Sequence, residues 1–131
     1  CRRSATQYHW AMTALRAICL SSLLALGACA SKPAPIQHVV LAQLKDPADA
    51  AALLADSDKS LSDIPGVASY MSGTHLDIGR AGIDSGYGAA LVVGFRSVED
   101  YRGYLDHPAH IALVERWKPR MEWLRIYDIS E

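Results

Sequence analysis

From residue 36 onward the apolar positions follow two rhythms, one of period two and one near 3.6, and the switches between them divide the chain into elements. Residues 36–45 alternate, with His38, Val40, Ala42 and Leu44 on one face and Val39, Leu41, Gln43 and Lys45 on the other, which predicts a first strand. Asp46-Pro47 suits a helix start, with aspartate as cap and proline at the first helical position. Residues 48–61 then carry Ala50, Leu53, Leu54, Ser57 and Leu61 at helical spacing, and Ile64-Pro65-Gly66 stops the run. Residues 67–77 predict a second, less regular strand, and residues 78–86 a glycine-rich connection. Residues 87–96 predict the central strand, because Ala89-Ala90-Leu91-Val92-Val93-Gly94-Phe95 is apolar on both faces. Ser97, with Asp100 three residues on, opens a helix carrying Tyr101, Tyr104 and Leu105 on one side. His107-Pro108 interrupts it, and residues 109–118 restart with Ile111, Val114 and Trp117 or Met121 inward until Pro119. Residues 122–129 alternate again as a last strand.

The order is βαββαβ, an α+β class chain with the ferredoxin-like split βαβ plan. Helices on one face of a four-stranded sheet leave the other uncovered. Val39, Leu41, Val92 and Trp123 are the candidates for that open face. A homodimer joined sheet to sheet into a barrel is the natural way to bury them.

Charge narrows the partners. The 131 residues carry a net −1, but Arg2, Arg3 and Arg16 all precede Cys29. Residues 29–131 therefore hold ten basic and fourteen acidic side chains, a net of −4. A mildly acidic domain without a basic stripe argues against nucleic acid as a partner. The three cysteines, Cys1, Cys19 and Cys29, all lie ahead of the domain, so its body has no disulfide framework, cysteine nucleophile or CxxC metal site.

The N-terminal segment reads as an address. Met12 is a candidate initiator, followed by Arg16, an apolar run over 17–26, and Leu26-Gly27-Ala28-Cys29. That run is short of the roughly 20 residues a spanning helix needs and suits a secretory signal. The last four residues resemble the bacterial lipobox, which implies cleavage before Cys29 and its lipidation, with several acyl chains anchoring the protein to a membrane. The expected organisation is upstream residues and signal over 1–28, a lipidated Cys29 and tether over 29–35, and one domain over 36–131, anchored in the bacterial cell envelope on the outer-membrane or periplasmic side.

Candidate chemistry gathers in residues 101–110, which hold Tyr101, Tyr104, His107 and His110. Tyr104, His107 and His110 recur every three residues and share an approximate helical face, bent by Pro108. Turned inward, that face meets the His38 row. A phenol and imidazoles around one cavity can move protons near neutral pH, with His110 as base and Tyr104 as its hydrogen-bond partner on a carbonyl-containing ligand. The competing reading makes His107 a helix cap, His110 a satisfied half-buried side chain and Tyr104 ordinary core. A metal site built from His38, His75, His107 and His110 with Asp77 or Asp106 lacks any ligand spacing of the HExxH kind, and no cofactor is expected. Asp56, Asp58, Asp63 and Asp84 read as solvated surface. Trp117, Trp123 and Tyr127 read as core or dimer-face packing. Gly79, Gly82, Gly86 and Gly88 read as a flexible loop near the cavity mouth.

His38-Val39-Val40-Leu41, Ile64-Pro65-Gly66-Val67, and the stretch from Leu91 to Glu99 leading into Tyr104-Leu105-Asp106-His107-Pro108-Ala109-His110 resemble the stress-responsive alpha/beta-barrel, or Dabb, family over 36–129. The resemblance implies a dimeric ferredoxin-like barrel. It includes a plant polyketide cyclase in which a tyrosine and a histidine perform acid/base chemistry. Carried over by motif, those are Tyr104 and His110, with His38 and His107 lining the same cavity. The envelope address departs from that context. The expectation is a lipid-anchored dimeric domain binding a small hydrophobic ligand. The alternatives are a cofactor-independent lyase, cyclase or monooxygenase-type enzyme using the Tyr/His pair, and a purely structural dimerisation module.

Overall fold

A computed structural model describes residues 33–131, so the expected signal segment and Cys29 lie outside the described residues. Strand β1 spans Ile36–Leu44. A single 3-10 turn, Pro47–Asp49, leads into α1, Ala50–Leu61, and the Asp46 carboxylate caps that turn by accepting from the Ala48 amide at 2.9 Å. Strands β2, Val67–Gly73, and β3, Ala89–Phe95, follow. Helix α2, Val98–Leu105, is capped by the Ser97 hydroxyl, which accepts from the Asp100 amide at 3.0 Å. Helix α3, Pro108–Trp117, runs through a 3-10 turn at Lys118–Arg120 into β4, Met121–Ser130.

The four strands form one antiparallel sheet in the order β2-β3-β1-β4. This is the ferredoxin-like arrangement the alternation predicts. Strand β2 stops at Gly73, shorter than its pattern predicts. Gly73 pairs with Ala90, and β3 begins one residue before that at Ala89, so the residues after Gly73 have no strand to bond. The connection between these strands turns on positive-φ Gly79 and Gly82 and on aspartates Asp77 and Asp84, which accept from the amides of Gly79 and Gly86.

The core lies between the sheet and the helices. Leu53, Ser57 and Leu61 form the buried row of α1 at four-residue spacing, packed with Leu91, Val93 and Phe95 of β3. On α3 the buried row is Leu113 and Trp117, with Ala109 and His110 half-buried behind them, whereas Ile111 and Val114 are exposed. The break at His107-Pro108 resets the helical phase; Ile111 turns to solvent, while Val114, though exposed, still borders a cavity beside α3. Leu105 is likewise exposed, leaving Tyr101 and Tyr104 as the inner face of α2.

Among the described residues no helix covers the other sheet face. Register places Val39 and Leu41, Ala90 and Val92, Met71, and Trp123, Tyr127 and Ile129 there together. Met71 is 64% exposed and Tyr127 51%. Two glycines hold close approaches. Gly66 has φ +93°, and a Cβ there would stand 3.0 Å from Asp100 Cβ, so the α1–β2 turn sits directly against α2. At Gly94 a Cβ would collide with the Ser69 hydroxyl and Ala34, which allows β2 and residue 34 to close on β3. The end of the expected tether thus belongs to the fold: Ala34 is buried, its carbonyl accepts from Gln37, and the Pro35 carbonyl accepts from the Glu131 amide.

Candidate functional site

The helices leave the inner edge of β4 uncovered, and a cavity of about 80 Å³ opens there between α1, α3, β1 and β4. Its walls are mostly aliphatic, including Val40, Leu91, Leu113, Leu124 and Ile126, with Trp117 alongside. Polar side chains enter from four directions: His38 from β1, Tyr104 from α2, His110 from α3 and Ser57 from α1.

Strand alternation turns His38 inward, where it is only 4% exposed. Its Nδ1 lies 2.7 Å from Asp128 Oδ1 on the neighbouring strand, its register partner, and 2.7 Å from the Tyr101 hydroxyl. That hydroxyl also donates to Asp128 Oδ1 at 2.9 Å. An ionised carboxylate only accepts, so Nδ1 of the His38 ring carries a proton. Partial burial pushes the Asp128 carboxyl up, but hydrogen bonds from His38 and Tyr101 together hold it below the usual carboxylate range. Burial and then the Asp128 carboxylate push the Tyr101 phenol well above its usual value.

His110 is brought beside Tyr104, with ring centroids 4.7 Å apart and tilted by 45°. It is not hydrogen-bonded to Tyr104, as the sequence reading paired them. Its Nδ1 faces the Leu105 carbonyl at 3.0 Å, which can only accept, so Nδ1 of this ring carries a proton too. Burial lowers the His110 pKa, against the raising effect of the Leu105 carbonyl, which favours the neutral ring. Tyr104 is buried and packs tilted or edge-on against Phe95, His110 and, at 6.1 Å, His38. Burial alone pushes its hydroxyl up to about 12, so it stays protonated and is a hydrogen-bond donor.

The arrangement places a phenol donor and two imidazoles around an apolar cavity. It can polarise a carbonyl or hydroxyl oxygen and accept a proton beside it. Among the described residues no group of three or more histidine, cysteine or carboxylate side chains is placed to hold a metal.

A sequence profile described as the stress responsive A/B barrel domain (Dabb) matches residues 36–131. The chain belongs to the Dabb family. Solved structures agree with the fold. A Dabb protein with a ferredoxin-like fold from Mesorhizobium loti is 28% identical, with TM-score 0.61 over 73% of this chain and 95% of its own. A dimeric ferredoxin-like protein of unknown function from Thermobifida fusca is 24% identical, with TM-score 0.61 over 73% and 90%. A hydroxynitrile lyase from Passiflora edulis is 20% identical, with TM-score 0.62 over 76% and 95%. No curated protein matches significantly.

In this Dabb domain the structure brings Tyr104, His110 and His38 together and places His107 elsewhere. The His107 ring does not line the cavity. Its Nδ1 accepts from the Ala109 amide at 3.2 Å and caps α3, because Pro108 directs the preceding residue into an extended backbone. None of the glycine-rich connection lines the cavity either. The reading of Asp56 as solvated surface fails, since it is half-buried and accepts from Trp117 Nε1 and Arg116, whereas Asp58 is exposed as expected and accepts there from Tyr70 and Ser72. Sequence reasoning passed over Asp128, although a carboxylate alternating with Leu124 and Ile126 on an inward row is a signal. It also passed over Ser57, the one hydroxyl in a row of leucines.

Proposed function

We propose that this Dabb domain is a homodimer joined through its open sheet face, and that its cavity binds a small, largely apolar molecule through one carbonyl or hydroxyl oxygen. The observation that carries the reading is the convergence of the Tyr104 hydroxyl and the imidazoles of His38 and His110 on one aliphatic cavity. Such a site, apolar with a few convergent polar groups, is the usual form of a small-molecule pocket. The apolar rows on the open face, and the dimeric state named for the Thermobifida fusca protein, support the dimer. The lipobox-like Leu26-Gly27-Ala28-Cys29 supports a lipid anchor at Cys29 in the bacterial envelope. Native mass spectrometry of the purified domain is expected to give a dimer mass and a retained small molecule that Tyr104→Phe releases. A monomer carrying nothing, unaltered by Tyr104→Phe, would overturn the reading. For the anchor, radiolabelled palmitate is expected in the native chain and not in Cys29→Ser; equal labelling of both would remove it.

One observation favours an enzymatic use of the same cavity. The Asp128 carboxylate behind His38 stabilises an imidazolium, so His38 is the better-supported base and His110 the second, with Tyr104 donating to the substrate oxygen. This reading is cofactor-independent lyase or cyclase chemistry. His38→Ala and His110→Ala are each expected to abolish turnover of any substrate identified by mass spectrometry while the protein still folds. Full turnover in both variants would leave binding alone.

A further inference from the structure

Ser57 presents a buried hydroxyl that nothing among the described residues uses. Its residue is 0% exposed, and its Oγ has no hydrogen-bond partner among the described residues. A serine inside a helix usually donates back to the carbonyl one turn earlier, as Ser62 does here to the Asp58 carbonyl at 2.8 Å. Ser57 does not, although Leu53 lies one turn before it in the same helix. Ser57 lines the cavity, between Leu53 and Leu61 of its own helix and facing a wall that includes Leu91 and Leu113. Every other side chain at that row is aliphatic, and an alanine would pack there without an unsatisfied oxygen. Buried hydroxyls are ordinarily paired, and each exception calls for a reason.

We propose that Ser57 is a second recognition point of the pocket, and that the ligand is bifunctional. One oxygen meets Tyr104 and the imidazoles, and a second hydroxyl or carbonyl oxygen meets Ser57. The inference rests on the pocket reading above and adds the chemical class of its occupant: a small apolar ring or short chain bearing two oxygen substituents. The cavity size agrees. About 80 Å³ is well below the roughly 150 Å³ of a dry apolar cavity that holds benzene. A ring placed here therefore extends towards the open edge at Leu124 and Ile126, and its orientation must be fixed by polar contacts rather than by enclosure.

The test uses phenol as the one-oxygen probe, and catechol, resorcinol and hydroquinone as probes that place a second hydroxyl at three positions. Each is titrated under nitrogen into the wild-type domain, Ser57→Ala and Tyr104→Phe, with binding read from amide chemical shifts. Phenol is expected to bind the wild type and to weaken in Tyr104→Phe. At least one diol is expected to bind the wild type on the order of threefold to tenfold more tightly than phenol, the range of one neutral hydrogen bond. In Ser57→Ala that advantage disappears while phenol binding is unchanged. The ligand-free Ser57→Ala protein is expected to melt within about 2 °C of the wild type or higher, since no protein bond is lost. A diol advantage that survives Ser57→Ala overturns the proposal, as does the lack of any diol advantage. A large fall in melting temperature would do so too, by showing that the hydroxyl has a structural partner. In each of those cases the pocket reading stands if phenol still binds through Tyr104. Failure of phenol to bind the wild type removes both.

Discussion

Asp128 ties two rings from two elements to one carboxylate. It holds a proton on Nδ1 of His38 and accepts from the Tyr101 hydroxyl, and without it both donors lose a charged acceptor. Asp128→Ala is expected to destabilise the domain by roughly 1–3 kcal/mol in urea unfolding. It should also convert His38 from one tautomer to a mixture, visible in long-range proton–nitrogen NMR spectra. A single unchanged tautomer in the variant would show that the carboxylate does not position the ring. His110 makes the pH dependence testable. Its folded value lies below the ordinary 6.5, so on acidification the unfolded chain takes up the proton first. The contribution is complete above 6.5 and is lost progressively as pH falls below it. Melting temperatures of wild type and His110→Gln from about pH 8 to about pH 5 should therefore shift in the variant's favour as pH falls. A constant offset would contradict the assignment. At this scale the candidate site was half legible. Tyr104, His110 and His38 stand out because phenols and imidazoles are rare and clustered or inward-phased. Asp128 reaches His38 only through the β1–β4 register, which a local pattern does not contain.

At the scale of elements, strands and caps are legible because alternation and Asp46, Ser97 and Pro108 act within a few residues. Helix–helix contacts are not. The carboxylate of Asp56 in α1 looks solvated by spacing, yet it accepts from the buried Trp117 indole at 2.7 Å and from exposed Arg116 at 2.7 Å, clamping α1 to α3 across the cavity. The indole bond first, and then Arg116 against opposing burial, hold this carboxyl below its usual range. The two partners are unequal. Arg116→Ala should cost less than about 1 kcal/mol, as exposed ion pairs do, whereas Asp56→Ala leaves a buried N–H unpaired and should cost roughly 1–3 kcal/mol. Equal losses in urea unfolding would reject that division. Gly66→Ala should destabilise by more than about 1 kcal/mol, because the positive φ and Asp100 both oppose a Cβ. A variant as stable as wild type would show that the turn can shift away from α2.

At the scale of the molecule, the βαββαβ order fixes the topology, since each period switch is marked by a proline, glycine or cap. The proposed dimer depends on the face opposite the helices, where Val92 pairs with Val39 and Met71 near the middle of the sheet. Val92→Glu should convert a dimer to a monomer in light scattering after gel filtration, since a charge there has no partner at a buried interface. A variant that remains dimeric would place the interface elsewhere.

Strand β1 serves both faces at once: His38, Val40 and Ala42 line the cavity, while Val39 and Leu41 lie on the open side. A pleated strand cannot gain or lose one residue without exchanging its two rows. Deleting Val40 would therefore exchange the rows on one side of the deletion, turning either His38 or Ala42 out of the cavity and Val39 or Leu41 into it. The irregularity in register at Gln43/Leu44 is the place along this strand where a change of chain length can be absorbed. Descendants of this sequence can exchange one aliphatic side chain for another along β1, but its length is inherited whole.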